Sequence, residues 1–147
     1  MVNDVKKEYR TCKELGNYVP LEEINTYKIK TMLSVAKEDL ASLNILLENK
    51  KFTTSYKIGY DVLHTLCEAF LLLKKIKSRN HKCVFTYICL NQPELDFDWD
   101  FFEKIRTKRN GIQYHGTNIT RNDWKEIDVQ LRLYINTLKE EIKNNIC

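Results

Sequence analysis

The chain has 147 residues, enough for one ordinary domain with a substantial core, and a second independent domain is not expected. Its four glycines and two prolines are too few for the tight turns of a sandwich or barrel, so composition points to an all-α fold. A net charge of +4, from 24 basic and 20 acidic residues, gives a mixed surface that tolerates a polyanion partner without demanding one.

Residues 1–19 form a short charged N-terminal arm or short helix, with no apolar signal core. No apolar run reaches the roughly 18 residues needed to cross a bilayer, so no membrane partner is expected and a cytoplasmic location is. Pro20 suits the first turn of a helix, where its missing N–H has no partner. That helix extends from about Leu21 to Glu48, because Ile29, Leu33, Ala36, Leu40, Leu43 and Leu47 alternate steps of four and three along one face.

A second helix is expected from about Thr53 to Lys77, apolar over much of its C-terminal half and therefore mostly buried. "KSRN" breaks it, and a shorter helix from about His81 to Leu90 stops before Pro93, which disfavours helical geometry in the residue ahead of it. The acidic loop "ELDFDWD" leads into a fourth helix, from about Trp99 to Tyr114, that turns Phe101, Phe102, Ile105 and Ile112 to the core. Thr120 and Asp123 have the spacing of a capping box, which starts a last helix carrying Trp124, Ile127, Leu131, Tyr134, Leu138 and Ile142 at helical spacing. These pieces make residues 1–147 a single up-and-down bundle of four to five helices.

The five cysteines, Cys12, Cys67, Cys83, Cys89 and Cys147, contain no Cys-x-x-Cys pair and suit free thiols in a reducing cytosol. His64 shares a polar stripe with Lys57, Asp61 and Glu68, expected to be solvated or to form an interface. A di-iron bundle needs a Glu-x-x-His pair from each of two helices, and neither His81 nor His115 has a carboxylate three residues before it. No metal and no cofactor is therefore expected. His81 opens the third helix beside Lys77, Arg79 and Lys82, where it defines the turn or adds a secondary RNA contact. Phosphate-loop glycines, a Gly-x-Ser-x-Gly elbow and a His-Glu-x-x-His run are all missing from the sequence.

The stretch "RTKRNGIQYHG", Arg106 to Gly116, concentrates charge and polarity at a helix end. At about 100° per residue, Arg109 and His115 stand roughly 120° apart, on the two shoulders of the stripe formed by Phe101, Ile105 and Ile112. Spacing alone reads this as a cationic C-terminus that complements the helix dipole. The order of the pieces adds to that reading: "AKEDLASLNILLENKKFTTSYKIGYDVLHTLCEAFLLLKK", "NHKCVFTYICL", "FFEKIRTKRNGIQYHG", then a capped helix. It resembles the HEPN superfamily of small all-α proteins, marked by Arg, a polar residue, a few variable positions and His, over roughly Thr31 to Ile142.

The resemblance implies a homodimer whose two motifs line one cleft, and in many members a metal-independent endoribonuclease. Arg109 then takes the place of the motif arginine, Asn110 of the polar residue and His115 of the histidine. In those roles His115 is the general base on the ribose 2′-OH, Arg109 stabilises the charge that develops on the phosphate, and Asn110 orients either one. Lys104, Arg106 and Lys108 supply backbone attraction, and Tyr114 stacks on a base. Many toxins of the family are encoded beside a nucleotidyltransferase antitoxin, and some carry a tyrosine two residues after the histidine. This chain has Gly116 and Thr117 there, so that form of control is not expected. The alternative is a non-catalytic HEPN-like bundle that binds a nucleotide, RNA or a protein.

Overall fold

In the computed structural model, described over residues 2–146, the chain is all-α, with six helices and one two-stranded sheet. In chain order these are α1 (Val2–Glu14), β1 (Tyr18–Pro20), α2 (Thr26–Glu48), α3 (Phe52–Leu73), β2 (Ile76–Ser78), α4 (His81–Asn91), α5 (Trp99–His115) and α6 (Arg121–Ile146). A 3₁₀ turn over Pro93–Leu95 precedes α5.

α3 is the central helix. Thirteen of its residues are buried, including Tyr56, Tyr60, Leu63, Leu66 and Phe70, because its apolar side chains point nearly all round the axis. α2 packs along one side through Ile29, Ala36 and Leu43, the buried members of the stripe read in the sequence. α6 packs along another, placing Trp124, Ile127, Leu131, Ile135, Leu138 and Ile142 in the same continuous core. α4 and the first half of α5 close the remaining face, where the rings of Phe85 and Phe102 stack with centroids 4.6 Å apart.

At the N-terminal end residues 2–14 are helical, the second of the two forms expected there, and α1 lies against α4; the boundaries that follow differ from expectation. Pro20 is in β1, not in a helix, because β1 pairs antiparallel with β2, with Pro20 opposite Ile76 and Tyr18 opposite Ser78. At the end of this two-stranded sheet the missing proline N–H costs no ladder bond. α2 starts at Thr26, capped by the Asn25 side chain, which accepts from the Lys28 N–H at 3.0 Å. The same pairing shortens α3, since 76–78 leave the helix to form β2. At the other end, the Thr120 hydroxyl accepts from the Asp123 N–H at 3.2 Å while the Asp123 carboxylate accepts from the Thr120 N–H at 2.8 Å, the reciprocal pair that the spacing predicts.

The cysteines also depart from expectation. Cys12 of α1 and Cys83 of α4 form a disulfide across 71 residues of sequence, with Cα atoms 5.9 Å apart. Pairing at that separation leaves no local spacing signal, and it removes the argument from free thiols to a reducing compartment. Cys67 and Cys89 are free; burial pushes both thiols up, that of Cys89 to about 12, so neither is a ready nucleophile. Cys147 lies outside the described residues. Among the described residues no helix is long and apolar enough to cross a membrane.

Candidate functional site

α5 changes character along its length. Trp99, Phe101, Phe102 and Ile105 are buried, and from Arg106 onward the helix emerges from the core. It winds as a regular helix to His115, where Gly116 takes a left-handed conformation (φ 65°) and turns the chain away. A glycine serves there because other residues meet a steric penalty at positive φ.

The emerging half of α5 and the start of α4 form the walls of a cleft of about 570 Å³. Arg106, Arg109, Asn110 and Tyr114 line it from α5; Arg79, Asn80, His81 and Lys82 line it from the β2–α4 junction, and Tyr60 of α3 also lines it. Each wall therefore contributes two permanent cations, and among the described residues no carboxylate lines the cleft. Acidic partners support three of those cations: Lys82 pairs with Glu8 at 3.1 Å, Arg106 with Glu103 at 3.0 Å and Arg109 with Asp61 at 3.6 Å. The side chains of these cations remain only partly buried, so they are held in place while keeping a face toward solvent.

Arg109 is the most constrained of the four. Its guanidinium lies over the Tyr60 ring, 5.4 Å from the centroid, and its buried Nε has no hydrogen-bond partner among the described residues. Burial raises the Asp61 carboxyl, with Arg109 opposing the shift, and the 3.6 Å separation is longer than a hydrogen bond. The guanidinium thus keeps unused donor capacity.

The structure separates Lys104, Lys108 and His115 from this cleft. Lys104 pairs with Glu126 of α6 at 3.2 Å, and Lys108 with Asp123 at 3.0 Å; these tie α5 to α6. Hydrogen bonds from the Thr120 backbone and from Lys108 hold the Asp123 carboxyl down at about 2. Tyr114 is 73% exposed and lies at the cleft edge with an uncovered ring. His115 is exposed at the last turn of α5 and does not line the cleft within one chain.

A second histidine does line it. His81 is the first residue of α4, set there by Asn80, whose side chain caps the helix by accepting from the Cys83 N–H. Its ring stacks on that of His64 with centroids 3.6 Å apart, and its Nδ1 is 3.2 Å from the Tyr60 hydroxyl. His64 is buried, not on a solvated stripe, because the start of α4 covers it. Its Nδ1 is 3.0 Å from Glu68, while its buried Nε2 has no hydrogen-bond partner among the described residues. Burial lowers His81 to about 4, and the nearby charge of His64 adds to the shift. For Glu68, burial acts upward, but the hydrogen bond and charge of His64 outweigh it and the carboxyl is lowered.

Sequence reading placed His64 and His81 in separate contexts because 17 residues separate them; their stacking arises only when the β1–β2 pair turns α4 back across α3. Among the described residues no group of three or more His, Cys, Asp or Glu stands together in a way that could hold a metal ion. No protein-family model, curated protein or solved structure matches this chain.

Proposed function

We propose that this chain is a metal-independent endoribonuclease of HEPN type, acting on RNA as a homodimer. The observation that carries the reading is the placement of Arg109 and Asn110 in a carboxylate-free cleft whose opposite wall holds Arg79, His81 and Lys82. Such a surface suits a phosphodiester, since the cations attract the backbone and a guanidinium with spare donors can follow charge onto the non-bridging oxygens.

In the proposed reaction His115 takes the proton of the 2′-OH, the 2′-oxygen attacks phosphorus, and the bond to the 5′-oxygen breaks. Arg109 stabilises the additional negative charge and Asn110 orients it. The 5′-oxygen takes up a proton, and the products are a 2′,3′-cyclic phosphate and a 5′-OH end. His115 serves this scheme from the rim of a cleft completed by a second copy, as the exposed end of α5 permits. The toxin role, and a nucleotidyltransferase-type antitoxin, rest on the sequence resemblance. The separation of His115 from the Arg109 cleft within one chain favours a second reading, a non-catalytic module that binds RNA, a nucleotide or a protein.

RNA cleavage in excess chelator separates the two readings. Wild type is expected to cleave, and Arg109→Ala and His115→Ala to lose at least about 100-fold in rate while remaining folded dimers by scattering. Cleavage by His115→Ala equal to wild type removes its role as base. Absence of cleavage by wild type across several RNAs leaves the binding module.

A further inference from the structure

His81 belongs to no motif, yet it lines the cleft with Arg109, and its surroundings bear directly on its charge. From α3 it meets the Tyr60 hydroxyl and the His64 ring, with Glu68 on the far side of His64. Across the cleft stand Arg106 and Arg109 of α5, and beside it on its own segment are Arg79 and Lys82, the latter paired with Glu8 of α1. Within the chain these groups work against an imidazolium: burial opposes it first, then His64, Arg109 and Arg106, with only Glu68 favouring it. Two imidazoles stacked at 3.6 Å do not readily carry charge together.

An anion between the walls changes this balance. It screens His81 from the arginines and gives its ring a direct acceptor, both of which favour the charged form. The Tyr60 hydroxyl can either donate to Nδ1 or accept from Nδ1–H, so that contact survives in both charge states. With Nδ1 engaged by Tyr60, Nε2 is the ring nitrogen left to meet a ligand. Burial keeps Tyr60 a neutral phenol throughout.

We propose that this cleft binds the phosphodiester backbone of single-stranded RNA between Arg109 and His81, and that His81 takes up a proton from solvent as the phosphate arrives. The inference rests on the RNA-directed part of the function proposed above and not on cleavage. Arg79 and Lys82 extend the same wall, and the uncovered Tyr114 ring at its edge offers a surface for a base.

The test uses a 2′-O-methyl RNA hexamer without terminal phosphates. It cannot be cleaved by 2′-OH attack, and it has no group that titrates between about pH 5 and 8. At constant ionic strength, wild-type affinity is expected to rise by about tenfold from pH 8 to pH 5, with net proton uptake seen by calorimetry in buffers of different ionisation enthalpy. In His81→Gln, shown folded by circular dichroism, the residual affinity is expected to be flat over that range. If that variant does not fold, the His81 ring signals of wild type, titrated with and without hexamer, report the same uptake.

Absence of binding at every pH overturns the proposal, as does pH-independent binding without proton uptake. So does a pH dependence that survives in His81→Gln. If the hexamer binds as expected while unmodified RNA stays intact, the nuclease reading fails and this one stands. If RNA is cleaved but His81 never charges, the reverse holds.

Discussion

The two sides of α3 divide at consecutive residues. Gly59 faces α6, where a Cβ would come within 2.9 Å of Leu131 Cδ2 and 3.4 Å of the Trp124 ring. Tyr60 faces α4 and α5, where its hydroxyl reaches His81 and its ring lies under Arg109. The α6 side is a close-packed seam of Gly59, Tyr56, Trp124 and Leu131, and the Tyr56 hydroxyl is buried there with no hydrogen-bond partner among the described residues. On the other side His64, His81, Asp61, Arg106 and Arg109 carry the ionisable chemistry. Each side buries a polar atom without a hydrogen-bond partner among the described residues, so what divides them is charge: the seam is lined by uncharged side chains, whereas the cleft keeps its charges partly solvated and backed by opposite charges. Close uncharged packing thus dominates one face of the helix, and the charged and titratable groups gather on the other.

Substitutions on the two faces should therefore separate. The largest expected effect is at the seam. Leu131→Ala deletes a fully buried side chain and is expected to cost about 2–5 kcal/mol in urea unfolding, while the protein that remains folded binds RNA with unchanged affinity. Loss of binding by folded Leu131→Ala would show that the two faces are not independent. Next comes the start of α6, where Thr120→Ala removes the cap on the Asp123 N–H and is expected to cost about 1 kcal/mol by the same measurement. An unchanged midpoint would mean that the capping pair does not hold the seam helix in place.

The smallest effect is on the cleft side and is read from pH. His81 is held at about 4, below the ordinary value of about 6.5 that it regains on unfolding. Between those values the unfolded chain binds more protons, so stability should fall as pH drops from about 6.5 to 4. With discount for the exposure of His81, the expected loss is about 1 kcal/mol, or roughly 2–4 °C in Tm, and His81→Gln should flatten the slope. A variant that keeps the slope would assign it to another group and not to the cleft side.

Much of the helical layout is legible in the sequence. The stripe through Ile29, Ala36 and Leu43, the apolar girth of α3, the approximate span of α5 and the Thr120–Asp123 box each rest on contacts three or four residues apart, which periodicity reports directly. That the motif itself winds as a regular helix to His115 is not a matter the sequence decides. Pro20 misled because a proline that opens a helix and one in a short strand look alike without the partner strand, Ile76–Ser78. Residues 2–14 lacked a long apolar stripe, and α1 is held instead by the Cys12–Cys83 disulfide and the Glu8–Lys82 ion pair, both invisible to local pattern. Within the candidate site, Arg106, Arg109, Asn110 and Tyr114 were singled out together because they follow one another on one helix. His64 and His81 remained apart because no local rule brings α3 and α4 face to face.

By itself, then, the sequence determined the all-α class, most of the helices, the Thr120–Asp123 cap, and the polar turn of α5 that interrupts an otherwise apolar pattern. These are short-range matters of backbone hydrogen bonding and side-chain periodicity. Only the tertiary structure decided that His81 and not His115 shares the cleft with Arg109 in one chain, that His64 is buried beneath it, and that Lys104 and Lys108 are committed to α6. The first two outcomes depend on how α4 lies across α3, which the short β1–β2 pairing, the disulfide and the Phe85–Phe102 contact fix between residues far apart in the chain, and the third on ion pairs that join α5 to α6.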